Sequence, residues 1–269
     1  HAGRHARHVG FGHAAVVEPG GEPVLEGIEK TVSEVAGEED DLYAIMWDDR
    51  SSYYDRIRVY HLNADGSYTN PAVLTWPASD RSVRYTPEKT AYNPATKAFY
   101  VRKLLLNVQT QNITGSCLQP IGGGAPICEY QDPIADFGFD ATGTLYLLTS
   151  TEDLCCSPSF TYSLYRLPMN PGGGYDLALD PAHRVLGPVT VTATPLWHFY
   201  GATQELSVSS DGTAALWDFI DGQNLLYLVP PPGSPKSPQT VPLPPYANMR
   251  YSDTANLASD CMGRFYVMS

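Results

Sequence analysis

The chain has 269 residues, 43% of them hydrophobic and only 17% charged, with 23 glycines, 23 prolines and 18 tyrosines. That is enough apolar material for a sizeable core, and so many turn formers and tyrosines favour short strands over helices. The formal charge of −12 argues against nucleic acid or an anionic membrane surface as a partner, and no apolar run approaches the ~20 residues of a membrane-spanning helix.

In chain order, residues 1–9 read as a His-rich arm, followed by one domain over 10–269. The chain starts at His1 rather than Met, as expected of a processed or trimmed chain. His1, His5, His8 and His13 are neutral imidazoles that could ligate a transition metal, but their segment lacks strong secondary-structure signals, and no metal site or cofactor is assigned. Residues 10–27, "GFGHAAVVEPGGEPVLEG", read as strand, turn, strand.

The next segment, "SEVAGEEDDLYAIMWDD" (33–49), is a hairpin whose second strand is Leu42–Trp47. Behind it, "RIRVYHLNADGSYTNPAVLTWP" (56–77) is another strand, turn and strand. Its centre, "NADGSYTN" (63–70), begins like a calcium loop but has Leu74 where the twelfth-position Glu belongs, so it is read as a turn. A second hairpin is "TAYNPATKAFYVRKLLL" (90–106), turning at Asn93-Pro94. The stretch after it carries Cys117 and Cys128 around "LQPIGGGAPI". It is read as a long loop clipped by a Cys117–Cys128 disulfide, with a glycosylation sequon at Asn112.

A third hairpin is "GFDATGTLYLLTS" (138–150), followed by strands within 162–191. The fourth is "SVSSDGTAALWDF" (207–219), followed by strands within 224–244, where "GSPKSP" (233–238) is a polar surface loop. The fifth is "LASDCMGRFYVMS" (257–269). These hairpins share one grammar. A strand runs into Asp-x-x-Gly or Asp-Gly, or into Asn-Pro, and a second strand begins at once. Gly143, Gly212 and Gly263 recur at a spacing that suits four antiparallel strands per unit.

Serial four-stranded units of this kind resemble the blades of a five-bladed β-propeller. The blades would be 27–78, 79–131, 132–192, 193–244, and 245–269 completed by 10–26. The fold class expected is therefore all-β, a propeller closed by N-terminal strands that complete the last blade. Closure would remove an open sheet edge. The alternative is a β-sandwich with coincidental hairpins. The resemblance is one of architecture over nearly the whole chain, and no family motif accompanies it.

Five cysteines leave an odd thiol: Cys155, Cys156 and Cys261 remain beside the Cys117–Cys128 pair. Their spacing does not suit zinc. Cysteines and sequon together point to a secreted, extracellular protein.

The chemistry-bearing candidates come from aligning the hairpins. Asp136, Glu205 and Asn256 each stand seven residues before a hairpin glycine, Lys89 takes the matching place in the second hairpin, and Ser33 or Glu34 in the first. The architecture places these positions at the central channel. Exposed aromatics are the second resource: Tyr53, Tyr54, Trp76, Tyr246 and above all Trp197, His198, Phe199 and Tyr200, which could stack on a sugar or anchor a partner. Trp47 and Trp217 are read as packing residues.

No nucleophile elbow and no phosphate loop occur. The leading expectation is thus a non-catalytic secreted propeller that binds glycan or an extracellular protein, or self-assembles as an extracellular building block. The alternative is a hydrolase, glycosidase- or esterase-like, with Asp136 and Glu205 as acid and base. Five-bladed glycosidases use carboxylates in this region, and the resemblance implies no more than that.

Overall fold

The computed structural model describes residues 30–36, 42–48, 56–63, 67–69, 72–77, 80–129, 133–153, 159–176, 179–192, 203–220, 223–243, 256–259 and 264–268. Among these the chain is all-β, with one short 3-10 turn at Pro181–His183.

Five sheets follow one another along the chain. The first contains β1 (Lys30–Ala36), β2 (Leu42–Asp48), β3 (Arg56–Leu62) and β4 (Ala72–Thr75). The second contains β5 (Val83–Asn93), β6 (Ala98–Leu106), β7 (Ile113–Pro120) and β8 (Ile127–Glu129). In the third are β9 (Ile134–Phe139), β10 (Leu145–Asp153), β11 (Ser159–Leu167) and β12 (Arg184–Thr192). The fourth holds β13 (Thr203–Val208), β14 (Ala214–Ile220), β15 (Gln223–Val229) and β16 (Gln239–Pro242). β17 (Asn256–Ser259) and β18 (Phe265–Met268) pair as the fifth. Every sheet is an antiparallel meander in chain order.

The hairpin turns are built as their sequences require. Asp140 Oδ1 accepts the backbone N–H groups of Thr142 and Thr144, and Gly143 N donates to the Asp140 carbonyl. In the next sheet Asp211 Oδ1 accepts Thr213 N, and Gly212 sits at φ +84°. Asn93 Oδ1 accepts Ala95 N and Thr96 N. In each case a short polar side chain replaces ladder hydrogen bonds lost at the turn.

The core explains why the second strands read as unbroken apolar runs. A strand's side chains alternate between two faces, and here both faces are covered. Leu145 and Leu147 of β10 pack towards the second sheet, with Tyr100 and Leu118. Tyr146 and Leu148 of the same strand pack towards the fourth, with Leu206, Ala214 and Leu216. Likewise Leu216 of β14 faces the third sheet while Ala215 and Trp217 face Leu257 of the fifth. Ile45, Ile57 and Val59 of the first sheet meet Phe99 and Val101 of the second. The five sheets therefore stack face to face in chain order, and their first strands lie side by side: β1 against β5, β5 against β9, β9 against β13, β13 against β17.

Polar side chains tie neighbouring sheets across these faces. Tyr146 Oη donates to the Gly212 carbonyl at 2.7 Å, Tyr175 Oη donates to the Gly143 carbonyl at 2.5 Å, and Asn93 Nδ2 donates to Tyr175 Oη at 2.8 Å. Arg166 reaches the Pro230 carbonyl.

Two expectations are corrected. The segment read as a long loop around the cysteines forms β7 and β8, and the Cys117–Cys128 disulfide joins facing residues of that pair. Pairing with β6 on one side drew a Gly- and Pro-flanked sequence into strands that its composition disfavoured. Trp76 is no open platform either. It is half-buried and packs on Tyr85 with ring centroids 4.3 Å apart. Trp217 is buried, as expected of a packing residue. Residues 10–26, Cys155, Cys156, Cys261, Tyr53, Tyr54 and Tyr246 lie outside the described residues.

Candidate functional site

Three of the aligned positions meet. Lys89 Nζ donates to Asp136 Oδ2 at 3.1 Å and to Glu205 Oε1 at 2.9 Å. The three residues come from β5, β9 and β13, the first strands of three successive sheets.

Local irregularities aim them. The β5–β6 ladder breaks after Thr86 and resumes at Thr90, so Pro87, Glu88 and Lys89 form a bulge. Pro87 has no N–H to give to a ladder, which makes this the point where pairing fails. In the third sheet the ladder slips at Ala135, immediately before Asp136. In the first it slips at Ser33, immediately before Glu34. Bulges bend a strand and re-aim its side chains, and they concentrate beside functional sites. The β5 and β9 irregularities carry Lys89 and Asp136 of the ion cluster.

Asp136 has no exposed surface. Its Oδ1 accepts Phe137 N at 2.8 Å, and its Oδ2 accepts Leu206 N of β13 at 2.8 Å as well as Lys89. The carboxylate therefore also links two sheets. Close approach of β9 and β13 depends on Gly138, where an added Cβ would stand 2.8 Å from Val208 Cγ2. The Lys89 and Glu205 side chains keep 12% and 18% of their surface exposed, so Glu205 is the carboxylate a solute can reach.

Burial by itself would lower the Lys89 pKa. The charges of Asp136 and then Glu205 outweigh it, and despite opposition from Arg102 they hold the ammonium above its usual value. An unpaired buried charge would be costly, but here one cation is shared between two anions.

Arg102 was not singled out in the sequence. On β6 it pairs with Thr86, and its Nε donates to Thr86 Oγ1 at 2.7 Å. Its Nη1 donates to the Ala135 carbonyl at 2.5 Å and the Ile134 carbonyl at 3.2 Å. The signal that could have found it is Pro87 inside a strand, which marks a bulge whose neighbouring backbone needs a donor.

Asn256 begins β17, which lies beside β13; its side chain is outside the described residues. Trp197, His198 and Tyr200, the preferred stacking cluster, are also outside them. Asn112 is exposed just before β7. Among the described residues no group of three or more His, Cys, Asp or Glu side chains is arranged to hold a metal, and no helix is long and apolar enough to cross a membrane.

No protein-family model matches the chain, and no curated protein matches it. Among solved structures it is similar to an exo-β-1,3-galactanase from Phanerochaete chrysosporium, crystallised with β-1,3-galactotriose, at 14% identity and a TM-score of 0.43, over 84% of this chain and 52% of that one. The chain thus spans about half the length of that enzyme. That neighbour is an enzyme, which stands against the expectation of a non-catalytic binding scaffold or assembly block.

Proposed function

We propose that the chain is a secreted glycoside hydrolase on a five-bladed propeller, with residues 10–26 completing the fifth sheet and the first strands lining a central channel. The single observation that carries the reading is the Lys89 bridge between Asp136 and Glu205, at bulges on adjacent first strands. Cleaving an acetal needs carboxyl groups that give and take a proton beside the scissile bond, and it needs neither a serine nucleophile nor a cofactor. A Gly-x-Ser-x-Gly elbow is absent from the sequence, which favours glycosides over esters.

In this reading Glu205 is the carboxylate that reaches substrate. Asp136 is fully buried, so it serves to position Lys89 and β13 rather than to touch the sugar. Glu34, which follows the β1 bulge, is the candidate second carboxylate, since β1 stands on the far side of β5 from β9. The disulfide supports an oxidising, extracellular setting.

The test is release of reducing ends from a panel of neutral oligosaccharides, β-1,3-linked galactosides included. Wild-type protein should act on at least one. Glu205→Gln should lower kcat by about 10²–10⁴-fold without unfolding the chain, as loss of a general acid or base does. No release across the panel, or full turnover by Glu205→Gln, would overturn the proposal.

A further inference from the structure

Arg102 stands behind the ion cluster. Thr86, the acceptor of its Nε, is the last paired residue before the bulge that carries Lys89. Ala135 and Ile134, whose carbonyls accept its Nη1, are the residues of β9 at the slip just before Asp136. One planar guanidinium therefore grips the two bulges from which both partners of the ion pair arise. Its donors are fixed in a rigid fork, so a single side chain can span both strands.

We infer that Arg102 is a positioning residue: by clamping the β5 bulge to the β9 bulge it sets the contact of Lys89 with Asp136 and, through Lys89, the placement of Glu205. The inference rests on this centre being the functional site. Its test reads ionisation and not turnover, so the clamp can stand if hydrolysis fails, and hydrolysis can stand if the clamp fails.

The alternative is that Arg102 acts on Lys89 only as a nearby like charge. The two accounts differ in sign. Removing a neighbouring positive charge alone raises the pKa of a lysine. Releasing the clamp draws Lys89 away from its two carboxylates, which lowers it. The chain has few lysines, so labelling lysine at Cε and Nζ and titrating by NMR follows Lys89 directly, with Lys89→Arg supplying the assignment.

In Arg102→Met the Lys89 pKa should fall by about 1 pH unit or more, the size expected when an opposite charge is lost. Arg102→Lys keeps the charge without the fork and should also fall. A pKa that rises or stays unchanged in Arg102→Met overturns the inference. If that variant does not fold, Thr86→Val decides. It removes the β5 half of the grip while leaving the Arg102 charge in place, so Lys89 should again fall, and an unmoved Lys89 overturns the clamp.

Discussion

Lys89 Nζ and Glu205 Oε1 lie 2.9 Å apart, although 116 residues separate them in the chain. The same nitrogen reaches Asp136, 47 residues away. One ammonium thus holds three sheets at a single point.

Removing that ammonium should be costly. Lys89→Met leaves Asp136 buried without its cation, and breaking a buried pair in this way costs about 3–5 kcal/mol. Urea unfolding at neutral pH should show the loss; a change below about 1 kcal/mol would count against a buried pair. The sign with pH is also set. The folded-state pKa of Lys89 is raised, so its stabilisation is fully present below the unfolded value of 10.5 and is lost as pH rises through the folded value. Tyr146, pushed up to about 12 mainly by burial, adds a slope of the same sign above 10. Wild-type stability should fall steeply in this alkaline range, and Lys89→Met should fall less steeply.

Two glycines of like conformation should respond differently to alanine. Gly212 has φ +84° and Gly233 has φ +75°. A Cβ on Gly212 would stand 2.6 Å from Tyr146 Oη and 2.8 Å from Pro232 Cδ, whereas one on Gly233 meets nothing within 4 Å. Gly233→Ala should cost only backbone strain, about 1 kcal/mol. Gly212→Ala adds overpacking of about 1–3 kcal/mol and disturbs the bond from Tyr146 to the Gly212 carbonyl. Equal melting temperatures for the two variants would contradict the tight turn-to-sheet contact.

The disulfide closes a short loop between β7 and β8. Replacing Cys117 and Cys128 together by serine should cost about 2–3 kcal/mol. Hydrogen exchange should rise first in β8, which pairs only with β7 among the described residues. Unchanged protection in β8 would argue that the β7 ladder alone holds it.

Closure is tested by deletion. If residues 10–26 complete the fifth sheet, their removal exposes the edge of β18 and uncovers the apolar face beside Leu257. The truncated chain should aggregate or lose cooperative unfolding. A soluble truncated chain with the parental melting temperature would remove the closed ring from the proposed architecture.

Local order in this protein follows from short-range chemistry along the chain. Asp140, Gly143, Asp211 and Gly212 mark their turns because each residue type satisfies or permits a particular backbone state, and that chemistry is local. Strand alternation is local too, so the hairpins and the equivalence of positions 89, 136 and 205 could be read without coordinates. What each strand face meets depends on how the sheets stack. Leu145 and Tyr146 are adjacent and both apolar, yet one packs on the second sheet and the other on the fourth. The slips at Ser33 and Ala135 and the strand identity of 113–120 and 127–129 were hidden for the same reason, whereas Pro87 marks its own bulge. Ladder register and cross-sheet hydrogen bonds depend on partners far away in the chain, and a one-residue slip such as that at Ala135 leaves no mark in composition. The meeting of Lys89, Asp136 and Glu205 required both: their equivalent places came from the repeat, and the stacking of three sheets closed the distance.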